Sequence, residues 1–228
     1  MALNELRRDM RHAANPTRAV VSQRFFKTGP GEYAEGDRFL GLTVPQIRSF
    51  VKQYRELSFR DTCRLLRSPI HEERLLALLL LVEANRRGDA TQRRQIYRCY
   101  LANTRYINNW DLVDSSAEHI VGSQSGAPLS KLARSASLWE RRIAIIATFH
   151  FIKRGEFAPT LRIARQLLGD EHDLIHKAVG WMLREVGKRD LPALEGFLQE
   201  HHRRMPRTML RYAIERLPER RRQWYLLR

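Results

Sequence analysis

The sequence lacks any apolar run long enough to cross a membrane. Its longest, Leu75 to Val82, has eight residues, against the roughly 20 that a spanning helix requires. The first twenty residues also lack the apolar core of a secretory signal, and Glu5 and Asp9 stand there among arginines. Cysteine is scarce: Cys63 and Cys99 are the only two, without the spacing of paired ligands. They argue for a reducing, cytoplasmic location and against both a disulfide framework and a structural zinc. Alternating strand-like segments joined by hairpin turns are missing as well. Acidic residues are too few to balance the basic ones, since 25 Asp plus Glu face 41 Lys plus Arg and leave a formal charge of +16. A surplus of that size says little about fold, but it attracts polyanions. Only six of the basic residues are Lys. The rest are Arg, whose planar fork suits phosphate, although Arg-rich codon usage would produce the same bias.

What is present reads as helix after helix. Apolar residues recur three and four apart, as at Leu75, Leu78, Leu79 and Val82, and again at Ile143, Ile146 and Ala147. Short breakers such as Ser68-Pro69, Gly88-Asp89, Asn108-Asn109 and Gly169-Asp170 separate them. Residues 28–44 form the one long irregular stretch, with Gly29, Pro30, Gly31, Gly36 and Gly41. A weak internal repeat appears when Ala77, Ala144, Ala178 and Ala213 are set in register, at intervals of 67, 34 and 35 residues. The first interval is about twice the others, so a further unit is predicted near residue 111. A period in the thirties built from helix pairs is the mark of an α-solenoid, in which each pair buries its apolar face by stacking on its neighbours. The expected fold is therefore all-α, a solenoid of tandem helical repeats with a concave, positively charged groove. One domain is expected over residues 1–228, with amino-terminal helices and a loop to residue 44 and repeats over 45–228.

The register also predicts which side chains share a face. Two residues before the register alanine stand Arg142, His176 and Arg211, with Arg74 close by. Stacked helices would turn these into a cationic ladder able to track phosphates; a merely solvated face is the plainer reading. Trp110 and Asp114 lie four apart and so one helical turn from each other, a spacing that Lys177 and Trp181 repeat. Trp181 and Asp114 occupy equivalent places, each three residues past the register position. Core tryptophans and a helix-capping Asp would be the ordinary explanation. Together, however, an aromatic ring and a carboxylate attract a cation, on a protein otherwise suited to anions. A purine alkylated at N3 or N7 within DNA is such a target. Its charge weakens the glycosidic bond, and the sugar gains oxocarbenium character as that bond breaks. A carboxylate would stabilise that charge and position the attacking water. No metal or redox cofactor is called for.

Three segments, INNWDLVDSSAEHIVG (107–122), LWERRIAIIATFHFIKRGEF (138–157) and HDLIHKAVGWMLREVGKR (172–189), closely resemble the AlkD-like DNA alkylation repair glycosylases. The likeness continues through QRFFKTGPGEYAEGDRFLG near the amino terminus and covers nearly the whole chain. It implies tandem HEAT-like repeats cradling duplex DNA and excision of N3- and N7-alkylated purines by a monomeric, cofactor-free glycosylase. By the same resemblance the catalytic carboxylate falls on Asp114 and the active-site tryptophans on Trp110 and Trp181. The phosphate-binding arginine falls on Arg142. Arg141, His176, Lys177, Arg211, Phe25 and Lys27 complete the expected DNA-facing set. Phe25 stands where the family can carry Tyr, so a hydroxyl is lost and the aromatic surface kept. The loop after it looks longer than in the shortest members, and either contacts DNA through Arg38 or covers the first repeats. Two alternatives remain: a catalytically silent DNA-binding relative, and a helical scaffold for an acidic protein. Salt-sensitive binding to random duplex separates the scaffold from the other two.

Overall fold

A computed structural model of the protein describes residues 2–227, and its regular elements are helical, with no strand among the described residues. The chain divides into two compact units, one ending at Ser116 and the other beginning at Ala117. The first unit contains α1 (Ala2–His12), α2 (Pro16–Phe25), α3 (Val44–Gln53), α4 (Phe59–Leu65), α5 (His71–Arg87), α6 (Ala90–Ala102) and α7 (Trp110–Asp114). Helix α1 is amphipathic: Leu3, Leu6 and Met10 recur at helical spacing and are buried. Helix α5 is instead buried nearly all round, with Leu75, Leu76, Leu78, Leu80 and Leu81 in the core. Each such side chain contributes about 1.5–3 kcal/mol on leaving water. Local chemistry fixes where helices begin. Asn15 accepts from the Arg18 amide ahead of Pro16, and Thr43 with Gln46 and Asp89 with Gln92 form reciprocal capping boxes.

Residues 28–43 lie against the start of α5. The Glu72 carboxylate accepts from the backbone amides of Leu40, Gly41 and Leu42 at 2.8–3.2 Å. The His71 amide in turn donates to the Arg38 carbonyl at 2.8 Å. Gly41 has φ +76°, and a Cβ there would lie 2.2 Å from the Asn15 carbonyl oxygen, so glycine is required where the loop meets α2. The loop thus covers α5, while the Arg38 side chain remains exposed. Helix α2 buries none of its side chains and leaves Val20, Val21 and Phe25 exposed.

The second unit begins with a π turn (Glu118–Gly122). It continues through α8 (Leu129–Leu132), α9 (Leu138–Ala147), α10 (Phe149–Ile152), α11 (Ala158–Gln166), α12 (Asp173–Gly187), α13 (Leu191–His201), α14 (Arg207–Ile214) and α15 (Glu219–Leu227). The apolar run around Ile143 is broken at Thr148, whose buried hydroxyl donates to the Ile145 carbonyl at 2.6 Å, a local bond that competes with the helical ladder. The four register alanines fall on α5, α9, α12 and α14, and all are buried. Consecutive register helices pack on one another within each unit, α5 on α7 and then α9 on α12 and α12 on α14. At the last contact Gly180 is needed for closeness, because a Cβ there would lie 2.5 Å from the Met209 carbonyl oxygen and the Tyr212 Cβ. The position predicted near 111 is α7, a helix of only five residues in which Asp111 occupies the register place. No described helix is long and apolar enough to cross a membrane.

Candidate DNA-lesion site

The first unit carries Trp110 and Asp114 at the two ends of α7. Asn109, itself buried, accepts from the Trp110 amide through its side-chain oxygen at 2.8 Å and so starts the helix. Leu112 and Val113 point inward and are fully buried. Trp110 and Asp114, one turn apart, are both partly exposed. Beneath them Tyr100 donates to or accepts from the Ser116 hydroxyl at 3.0 Å. Burial raises the Tyr100 phenol pKa, the bond to Ser116 opposes this, and the Asp114 charge adds to the rise. Asp114, partly exposed, therefore projects its field onto a neutral phenol.

Trp110 belongs to an aromatic cluster. Phe26 stacks on it with ring centroids 5.4 Å apart, and Phe25 meets it edge-on at 6.0 Å. Phe25 is 63% exposed, and Val20 and Val21 of the same helix are exposed as well. Beyond Phe26 the cluster continues to the His71 ring at 4.9 Å, which Phe39 covers at 4.6 Å. His71 is buried between two carboxylates, with Nε2 2.8 Å from Asp111 and Nδ1 3.2 Å from Asp37. Burial opposes its charge, but the field and hydrogen bond of Asp111, joined by the bond to Asp37, raise its pKa to about 9 despite the nearby Arg74. Burial likewise disfavours the Asp37 carboxylate. The His71 hydrogen bond and the Arg74 guanidinium outweigh that and hold its pKa below the usual carboxylate range.

Arg74 does not belong to the expected ladder. It is buried, its Nη2 donating to both Asp37 oxygens at 2.7 and 2.8 Å and its Nη1 to the Ser68 carbonyl at 3.1 Å. Neither Phe26, which stacks on Trp110, nor His71 with Asp37, Asp111 and Phe39 around it was signalled by the sequence. Helical spacing alone pairs His71 with Arg74 on one helix. It gives no sign that Asp37, 34 residues away, closes the cluster.

The second unit carries the remaining candidates. Arg142, on α9, is only 5% exposed and donates through Nη1 to the Leu174 carbonyl near the start of α12. Its neighbour Arg141 is held by Asp170 at 2.6 Å and by the carbonyls of Ser135 and Ala136. His176 is half-buried and bonds the Asp170 backbone carbonyl through Nε2. Lys177 pairs with Asp173 at 2.7 Å, while Arg211 is exposed. The expected ladder is therefore uneven: only Arg211 of its three rungs faces solvent freely. Trp181 is partly exposed and lies 6.0 Å from Phe149, whose ring sits under the Lys153 ammonium at 4.5 Å. In the first unit, Lys27 is exposed with φ 55°, at the junction of α2 and the loop. Among the described residues, no group of three or more His, Cys, Asp or Glu side chains is arranged to hold a metal ion.

An all-helical repeat protein with partly exposed Trp and Asp side chains is similar to a solved structure described as a predicted DNA alkylation repair enzyme from Enterococcus faecalis. The two share 18% identity over 90% of this chain and 97% of that one, with a TM-score of 0.69, a likeness of fold. No curated protein matches the chain. The family of DNA alkylation repair enzymes matches residues 6–217. The chain belongs to that family, which gives it a role in DNA repair with DNA as its partner.

Proposed function

We propose that the protein is a monofunctional DNA glycosylase that hydrolyses the N-glycosidic bond of N3- and N7-alkylated purines in duplex DNA. The observation that carries this reading is the pair on α7: a partly exposed tryptophan and a partly exposed carboxylate one turn apart. Alkylation at N3 or N7 gives the base a formal positive charge. When the bond from the base nitrogen to C1′ breaks, its electron pair leaves with the base, which becomes neutral, and C1′ becomes part of an oxocarbenium ion. Asp114 stabilises that cation by charge and orients the water that adds to C1′, accepting its proton. Trp110, extended by Phe25 and Phe26, stacks on the cationic nucleotide. By the resemblance to the alkylpurine glycosylases, Trp181 supplies a second ring and Arg142 a phosphate contact.

The net charge of +16 supports binding to the duplex. The test is incubation with duplex DNA carrying N7-methylguanine, scored for free base against a protein-free control. Released N7-methylguanine with an abasic site left behind supports the reading. Salt-sensitive binding without release overturns it in favour of a silent DNA-binding relative, and absence of DNA binding favours the protein scaffold.

A further inference from the structure

We propose that His71 is a positioning residue for the lesion site, a buried cationic latch that holds α7, and with it Trp110 and Asp114, in working orientation. The inference rests on the glycosylase reading for its catalytic consequence, but the latch itself stands on geometry. Helix α7 has five residues, and at about 1.5 Å of rise per residue it is less than two turns long. A helix that short has no stability of its own and takes its orientation from tertiary contacts. Leu112 and Val113 supply apolar contacts, which are non-directional. The bond from His71 Nε2 to Asp111, at 2.8 Å, is directional and comes from a different helix.

The charged groups facing His71 are Asp111 from α7, Asp37 from the loop, and Arg74 from its own helix. With His71 protonated this buried set is neutral, two carboxylates against two cations. With His71 neutral, one negative charge is left uncompensated in a largely buried cluster, and one of the two ring nitrogens must face a carboxylate without a proton to share. Losing that proton therefore releases either α7 or the loop. The consequence reaches Trp110 by a second route, since Phe26 lies against both the imidazole and the indole. A core cluster that merely adds stability would not tie the orientation of Trp110 to the protonation of one histidine.

The experiment compares wild type with His71→Gln and Asp111→Asn. It measures single-turnover release of N7-methylguanine, affinity for undamaged duplex, and the pH dependence of Trp110 fluorescence, isolated as the difference from Trp110→Phe. His71→Gln and Asp111→Asn are each expected to slow release by about tenfold or more while leaving undamaged-duplex affinity largely unchanged. The wild-type Trp110 signal is expected to change with a midpoint near pH 9, and His71→Gln to lose that transition. A Trp110 signal that is flat through this range in wild type, or His71→Gln releasing base at the wild-type rate, would overturn the proposal. If wild type releases no base, the glycosylase reading fails and the fluorescence titration still decides on the latch. If His71→Gln does not fold, the wild-type titration and Asp111→Asn carry the decision.

Discussion

At the residue scale, function turns on how few groups carry charge where water is scarce. Asp114→Asn keeps the shape of the side chain and removes its charge. Release of N7-methylguanine should fall by about 10²–10³, as when one preorganised electrostatic contact is lost at a reacting centre, with duplex affinity retained; near wild-type turnover would remove Asp114 from the mechanism. Arg142 makes a sharper case, because its burial and its bond to the Leu174 carbonyl also permit a purely structural role. If it contacts phosphate, Arg142→Ala should weaken binding to damaged and undamaged duplex alike and flatten the salt slope by about 1. A lowered melting temperature with an unchanged slope would assign it to packing instead. His71 sets a pH dependence of stability whose sign is fixed. Its pKa is raised from 6.5 to about 9 on folding, so between these values the folded protein binds more protons than the unfolded one. Its stabilisation is complete below the lower value and lost as pH rises through the upper one. Denaturant titrations at about pH 6 and about pH 10 should show wild type losing that contribution and His71→Gln not.

At the element scale, the loop over residues 28–43 is tied to α5 by hydrogen bonds to a buried carboxylate. Three successive backbone amides converge on the Glu72 carboxylate, so Glu72→Ala leaves buried donors unpaired, at about 1–3 kcal/mol each. Hydrogen exchange at Leu40, Gly41 and Leu42 should accelerate selectively in that variant; unchanged protection would mean that Gly41 and its contact with α2 hold the loop by themselves. The same element shows where sequence reasoning stops. Glycines at 29, 31, 36 and 41 mark an irregular stretch, and its length leaves open whether it meets DNA or covers helices. Long-range contacts show that it lies on α5, chiefly the pairing of Asp37 with His71 and Arg74 and of Glu72 with the loop amides. Those partners are separated by at least thirty residues, and no local pattern encodes such a pairing. The register alanines were legible for the opposite reason. A helix that packs on its neighbours on several sides needs a small buried residue at a fixed phase, and Ala77, Ala144, Ala178 and Ala213 supply it. Helix α7 kept the phase and lost the alanine, because Asp111 uses that inward place to reach His71.

At the scale of the whole molecule, a surplus of sixteen positive charges meets a polyanion, and a small number of aromatic and acidic groups would recognise a cation within it. On the proposed function, charge would bring the protein to any duplex, whereas release would depend on the base. A mechanism built on the lesion's own positive charge predicts indifference to the size of the alkyl group and strong dependence on its charge, because a neutral base is both a poorer leaving group and a weaker partner for Trp110. The most direct measurement is single-turnover release, at one fixed salt concentration, from duplexes carrying N7-methylguanine, a bulkier N7-alkylguanine, or neutral hypoxanthine. The account predicts release of both cationic bases and none of hypoxanthine. Efficient release of hypoxanthine, or rejection of the bulkier cationic base, would contradict it and show a site that reads the shape of the base.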